Sequence, residues 1–358
     1  MLRKTTLTIT LSLALMLSAC GGTPVPSATP APTQTPTPVA ALTPEPTPTP
    51  YNGPLNPLTG LPLEQGDPNR RPVAVMINNL KQALPQLGIS QADIIYECPV
   101  EGGITRMLAV YQAPEQVGTI GSVRSSRPYY LELALGLDAI YLHAGGSPDA
   151  YNKIRQWGVT ALDCVNGPYE GSLFWRDQWR RQNLGYEHSV ITSGETIGQL
   201  FPTYSFRQEH QEGYHFDLEF SDEMELSGES AATVTVPFSY YKTGLFEYDA
   251  HNDEYLVSEY GQPYVDGNSG AQVGVTNLLI LKTDCGVIPG DKLGRMYVVL
   301  EGGQGWYAYG GKYVPITWSK EAPGGQICYY GEDGSPLTMA AGNSYVCVVP
   351  RNSAVTFE

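Results

Sequence analysis

The chain has 358 residues, with 21 Lys plus Arg against 36 Asp plus Glu, a formal net charge of −15 and a pI near 4.7. At roughly 150 residues per domain, this length predicts two domains, and the acidic balance argues against a nucleic-acid binder, whose phosphate contacts need clustered Lys and Arg. Hydrophobic residues make up 42 % and charged residues 16 %, a mixture that supports packed cores over most of the chain rather than disorder.

Arg3 and Lys4 form a short basic start, and an apolar run from Leu7 to Leu17 follows. That run is too short to span a hydrocarbon core of about 30 Å comfortably, so residues 1–20 read as a signal peptide rather than a permanent helix. It ends in Leu17-Ser18-Ala19-Cys20-Gly21, which resembles the lipobox of bacterial lipoproteins. The resemblance implies cleavage before Cys20 and attachment of diacylglycerol to its sulfur; the alternative is an ordinary secretory signal with an incidental cysteine. Two palmitate-type acyl chains, at about 0.8 kcal/mol per buried CH₂, would hold the protein on the outer face of the cytoplasmic membrane. The lipid bilayer is thus the first expected partner.

Residues 21–50 contain ten Pro, eight Thr and a single charge, Glu45. Proline fixes φ and removes a donor, and nothing apolar is available to bury, so residues 21–54 are expected to form a polyproline-II-like tether. Such a spacer would lift a folded body off the bilayer.

Residues 55–212 alternate strand-like and helix-like pieces. Short apolar runs at 72–77, 93–96, 104–111 and 139–143 predict strands, with Glu97–Gly103 as a tight return between two of them. A helix is predicted over 128–137, and a second from Ser147, an N-cap followed by proline, to Trp157, stopping at Gly158. A strand at 189–192 and a helix at 194–200 repeat the alternation, which defines an N-terminal α/β domain with a mixed sheet. From 213 to 358, Tyr, Val and Thr dominate and clusters of Gly, Asn and Asp recur about every 8–12 residues. Strands are expected at 234–236, 245–248, 255–257, 277–282, 295–301, 307–309, 313–318, 327–330 and 344–349, with Gly302–Gly305 as a loop. That pattern predicts an antiparallel β-rich domain, a sandwich or partly closed barrel.

Several ordered motifs stand along this body: NPLTGL (56–61), RPVAVMINN (71–79), QADIIYE (91–97), VEGGITR (100–106), GSVRSSR (121–127), DAIYLHAGGS (138–147) and YEHS (186–189). FEYDAHNDEY (246–255), GQPYVD (261–266), GKYVPITWSK (311–320) and YVCVVP (345–350) follow. Over residues 55–358 the chain resembles the YerB-like lipoproteins of Gram-positive bacteria, a family whose biochemical role is undefined. The resemblance implies an α/β domain followed by a β-rich one, both outside the membrane, and no particular activity. Cys98 and Cys164 depart from the family pattern.

Polar groups gather in the loops of the first domain. Arg124 and Arg127 flank Ser125 and Ser126 just before a predicted helix, so guanidinium forks, hydroxyls and a helix start could together bind an anion. The bland reading pairs these arginines with Glu97 or Glu101 as structural salt bridges. Arg106 belongs to the same candidate group, as do Ser147 and two histidines, His143 before a glycine-rich turn and His188, each either a ligand or base or merely hydrogen-bonded. Glu97, Glu101 and Glu187 are candidates for a glycosidase pair, which needs two carboxylates about 5–10 Å apart. Ser125 or Ser147 as a hydrolase nucleophile lacks a G-x-S-x-G elbow. There is no zinc or nucleotide motif, so no metal or cofactor is expected, and Asp249–Glu254 reads as a turn. Cys328 and Cys347 could form a disulfide; otherwise these cysteines, with Cys98, Cys164 and Cys285, are small buried apolar groups. Aromatics of the second domain such as Tyr240, Tyr241 and Trp306 could face sugars or a protein, or simply alternate between core and surface.

The expected role is therefore a membrane-anchored extracytoplasmic lipoprotein that binds a cell-wall polymer or an envelope protein without catalysis. The alternative is an envelope hydrolase acting on a glycan or phosphate-bearing polymer, with Arg124 and Arg127 holding the anion and Glu101 or His143 as acid or base.

Overall fold

Val73-Ala-Val-Met-Ile carries no polar side chain, so both faces of any strand it forms must be covered, and it builds the wholly buried β1 (Val73–Asn78). Val73, Val75 and Ile77 point into one hydrophobic cluster while Ala74 and Met76 point into another, which is the period-two alternation of a strand lying between two layers. Each fully buried Val or Ile side chain contributes about 1.5–3 kcal/mol of transfer free energy. The computed structural model describes residues 51–358; the apolar N-terminal run, Cys20 and the proline-rich tract, with the expectations attached to them, lie outside the described residues.

Around β1, the strands β2 (Ile94–Pro99) and β3 (Thr105–Tyr111) form an antiparallel pair, and β3 lies antiparallel beside β1. On the other side, β4 (Ile140–His143) and β5 (Ala161–Asp163) continue the sheet in parallel. Parallel neighbours need crossovers, and these are α1 (Pro128–Gly136) between β1 and β4 and α2 (Pro148–Trp157) between β4 and β5. Both helices begin with proline at the first position, and Ser147 Oγ accepts from the Ala150 amide at 3.2 Å as predicted for an N-cap.

The C-terminal half splits between two sheets. β6 (Thr233–Pro237), β7 (Thr243–Asp249) and β8 (Glu254–Glu259) form an antiparallel sheet whose Val234, Phe246 and Val257 enter the same cluster as Val73 and Val75. α1 contributes Tyr130, Leu131 and Leu133 to the opposite cluster, so the main sheet is the middle of three layers. The strands β9 (Asn277–Thr283), β10 (Gly302–Tyr309), β11 (Lys312–Ser319) and β12 (Ser344–Pro350) join the main sheet itself. Its order runs β11-β10-β9-β12-β2-β3-β1-β4-β5, with β12 inserted in parallel between β9 and β2. The mixed N-terminal sheet and the antiparallel C-terminal strands are those expected from the sequence, and one continuous sheet carries both.

Two expectations are corrected. Gly302–Gly305 is not a loop but the start of β10, because a side chain would forbid the close approach to β9: a Cβ at Gly303 would lie 2.4 Å from the Lys282 carbonyl oxygen, and one at Gly305 2.2 Å from that of Ile280. The Cys328–Cys347 disulfide is excluded by topology. Cys347 lies on β12, Cys328 on a strand paired outside β11, and β9, β10 and β11 intervene. At about 4.8 Å per strand that separation far exceeds the ~7 Å Cα limit for a bridge, and all five cysteines of the described residues are free thiols.

Because β12 fills a gap in the middle of the sheet, a chain ended at residue 340 should leave β2 and β9 each with one open edge and split the sheet in two. The expected outcome is loss of the cooperative thermal transition and of near-UV circular dichroism; a truncated chain that melts cooperatively would refute this account of the sheet.

Candidate functional site

The parallel strands β1, β4 and β5 all end at one edge of the sheet, with Asn78, His143 and Asp163 as their last residues. Both crossover helices start there, and the carboxyl edge of parallel strands is where α/β sheets bind ligands. Arg106 stands opposite Asn78 in the register of β3, which brings its side chain to the same edge. The segment 123–127 passes across it, with the Arg124 amide bonded to the Met76 carbonyl at 2.9 Å and the Ser126 amide to the Gly145 carbonyl at 2.9 Å.

Three guanidinium groups meet there. Arg127 Nε donates to Glu101 Oε1 at 2.6 Å, Arg106 Nη2 lies 3.9 Å from Glu101 Oε2, and Arg106 Nη1 donates to the Ser125 carbonyl at 2.8 Å. Arg124 Nη1 donates to the Glu187 carbonyl at 3.0 Å. Among the described residues Glu101 is the one carboxylate within ion-pair distance of these arginines, so the cluster keeps an excess of positive charge in an acidic protein. Burial, then the neighbouring Arg127, pull the Arg106 guanidinium down to about 10, and burial lowers Arg124 as well, opposed by Glu187 and reinforced by Arg127. Repelled, partly desolvated cations of this kind gain from an arriving anion. Ser125 is half-buried, and its hydroxyl makes no hydrogen bond among the described residues. Glu101 sits on a return whose Gly102 and Gly103 have φ of 74° and 76°, conformations that glycine adopts without strain.

The remaining candidates divide. His188 lies beside Arg124 and accepts at Nδ1 from Asn78 Nδ2 at 2.8 Å; burial and then Arg124 lower its pKa. His143 is fully buried, with Nδ1 2.8 Å from the Gly145 carbonyl, and burial lowers it too. Ser147 is spent on capping α2. Glu97 does not join the arginines. It lies on the sheet face of Ile95, whereas Arg106 lies on the face of Leu108 and Cys98, so Glu97 and Glu101 do not form a facing carboxylate pair.

Glu97 instead belongs to a buried ionic network that the sequence did not reveal. Lys242 Nζ lies 3.1 Å from Glu97 Oε1 and also contacts Glu259. Asn79 Nδ2 donates to Glu97 at 2.8 Å and to Glu259 at 2.9 Å, Tyr345 OH donates to Glu97 at 2.6 Å, and Thr105 bonds the same carboxylate. Lys242, Glu97 and Glu259 are all essentially inaccessible to solvent. One ammonium faces two carboxylates, and burial, then Glu97, raise Glu259 to about 7.

A fold with a mixed α/β part and a β-rich part sharing one sheet, and a basic cluster at the parallel edge, defines the class. The chain belongs to the DUF3048 family, described as a protein of unknown function: the family's N-terminal domain matches residues 58–207 and its C-terminal domain residues 234–346. It is 33 % identical over 312 residues to the Bacillus subtilis (strain 168) protein named "Putative lipoprotein YerB", covering 84 % of this chain and 88 % of that one. The crystal structure of the Bacillus subtilis YerB protein superposes with a TM-score of 0.72 at 30 % identity, covering 84 % of this chain and 99 % of that one.

The network draws Asn79, Glu97 and Thr105 from the first matched segment and Lys242, Glu259 and Tyr345 from the second. Lys242→Ala leaves two buried carboxylates without their cation and should cost about 3–5 kcal/mol in denaturant unfolding, with Lys242→Met also destabilising. Glu259 holds its proton more tightly folded than unfolded, so its contribution is fully present below the ordinary 4.5 and is lost as pH rises through about 7. Glu259→Gln should therefore flatten the fall in stability across that window; parallel curves for the two proteins would contradict it.

Proposed function

We propose that this chain is an extracytoplasmic lipoprotein, moored by acylated Cys20 and spaced from the bilayer by its proline-rich tract, that binds an anionic envelope ligand without catalysis. The observation that carries the reading is the gathering of Arg106, Arg124 and Arg127 at the parallel sheet edge, where Arg106 and Arg127 share the single carboxylate of Glu101 and Arg124 bonds only the Glu187 carbonyl, within a chain of net charge −15. Guanidinium forks match phosphate oxygens in pairs, and the free Ser125 hydroxyl and the start of α1 lie beside them. A phosphate-bearing wall polymer has the right chemistry, and an acidic segment of an envelope protein is the competing partner. The name of the Bacillus subtilis relative supports the lipid anchor. Among the described residues no helix is long and apolar enough to cross a membrane.

Thermal melting with poly(glycerol phosphate), muropeptides and neutral sugars tests the site. The phosphate polymer should raise Tm, added salt should shrink the shift, and Arg124→Ala with Arg127→Ala should weaken binding at least about tenfold, as loss of one charge-assisted bond of ~1.5–3 kcal/mol requires. An equal response to neutral sugars sinks the proposal.

The anchor has its own test. Radiolabelled palmitate fed to the producing cells should enter the wild-type chain and not Cys20→Ser, which should appear in the medium or as an uncut precursor; labelling of the Cys20→Ser chain would place the lipid elsewhere.

A further inference from the structure

A second constellation lies at the opposite end of the parallel strands, where Asp138 precedes β4. Its carboxylate accepts from Arg207 Nη2 at 2.6 Å and Arg207 Nη1 at 2.7 Å, and Arg71 Nε lies 3.3 Å away. His210 Nδ1 stands 3.0 Å from Asp138 Oδ2. Burial opposes ionisation of Asp138, but bonds from His210 and Arg207 hold it at about 2, so the group only accepts hydrogen bonds. The proton between them is therefore on His210 Nδ1, and since a proton on the partnerless, buried Nε2 would be a donor with nothing to donate to, Nε2 is the ring's acceptor. The ring face stacks on Tyr214 at 4.1 Å and 9°, with the Phe216 edge at 5.2 Å.

The His210 side chain is only 7 % exposed, and its Nε2 is buried with no hydrogen-bond partner. The ring lines a cleft of about 420 Å³, together with Pro57, Pro68, Phe216, Leu218 and Phe220. With Nδ1 turned to Asp138, the ring edge facing away carries Nε2. Asp138, Tyr214 and Phe216 thus hold the ring in one orientation, in a lining otherwise mostly apolar. Pockets of this size and make-up receive small ligands, and a single placed polar atom sets their orientation.

We propose that this cleft is a second ligand site, independent of the arginine cluster, for a neutral molecule with an apolar body that donates one O–H or N–H to His210 Nε2. Asp138 acts as a positioning residue by fixing the tautomer, and Tyr214 holds the ring plane. No covalent step is involved.

The test uses phenol and toluene as probes on the full chain in detergent, with ¹⁵N-labelled histidine. Phenol should bind saturably and about tenfold more tightly than toluene, the discrimination that one buried hydrogen bond supplies, and should move the His210 Nε2 resonance. His210→Phe keeps a stacked ring without the acceptor and should bring the two affinities together. Equal affinities in the wild type, an unmoved Nε2 signal or no saturable binding overturns the proposal. Because the affinity ratio and the resonance are both read on the wild-type chain, they decide the matter even if His210→Phe does not fold.

Discussion

The structure depends on one seam, the parallel pairing of β12 with β2, where Ile95 faces Tyr345 and Glu97 faces Cys347. Through it a segment near the C-terminus enters the middle of a sheet begun near residue 73. Parallel pairing at such sequence separation carries a large loop-closure cost, so it needs interactions that no other register offers. The buried Lys242–Glu97–Glu259 network is of that kind: its carboxylates meet their ammonium and hydroxyl partners only when β2, β8, β12 and the turn before β7 are all in place. A buried ion cluster adds little net stability over a well-packed apolar one, yet mispairing would strand uncompensated charge, so here it acts chiefly on specificity of assembly.

The same seam positions the candidate site. β2 runs from Glu97 directly into the return that carries Glu101, and the turn that delivers Lys242 also bonds Ser239 Oγ to the Gly103 carbonyl. A Cβ at Gly103 would stand 3.0 Å from the Tyr240 ring, so the return and the turn are closely apposed. Tyr240 itself is 92 % exposed at this junction, an aromatic face held next to the Glu101 return by the second half of the chain. The arginine cluster is thus built on the first matched segment, while the placement of its one carboxylate depends on the second.

How much of this the sequence carried follows from the range of the forces involved. β1, β3 and β4 were legible because unbroken apolar runs between polar boundaries have few alternatives to a buried strand, and α2 because Ser147, Pro148 and Gly158 mark its ends chemically. Arg124, Ser125 and Arg127 could be grouped because they are neighbours in the chain ahead of a helix. Glu97 stands close in sequence to Glu101 but not in space, and strand alternation holds the clue: it shares a face with Ile95, not with Cys98. Lys242 gave no local signal, since a lysine among Tyr, Tyr and Thr beside a glycine reads as a solvated turn. Asp138 and His210 are separated by 72 residues, and only the fold joins them.

The acidity of the chain and the basicity of its cluster bear on what the cluster can select. At physiological salt the Debye length is about 8 Å, so the diffuse negative surface acts weakly on a ligand until contact. Within contact range the partly buried guanidinium groups dominate, because their field is little screened and their forks are fixed by Glu101, the Ser125 and Ser126 carbonyls and the Glu187 carbonyl. An anion seated on these fixed forks would be held by a few little-screened contacts rather than by the many screened contacts of loose polyanion association. If the cluster binds a wall polymer as proposed, its affinity would fall less steeply with salt than that of a nucleic-acid binder that relies on many phosphate contacts.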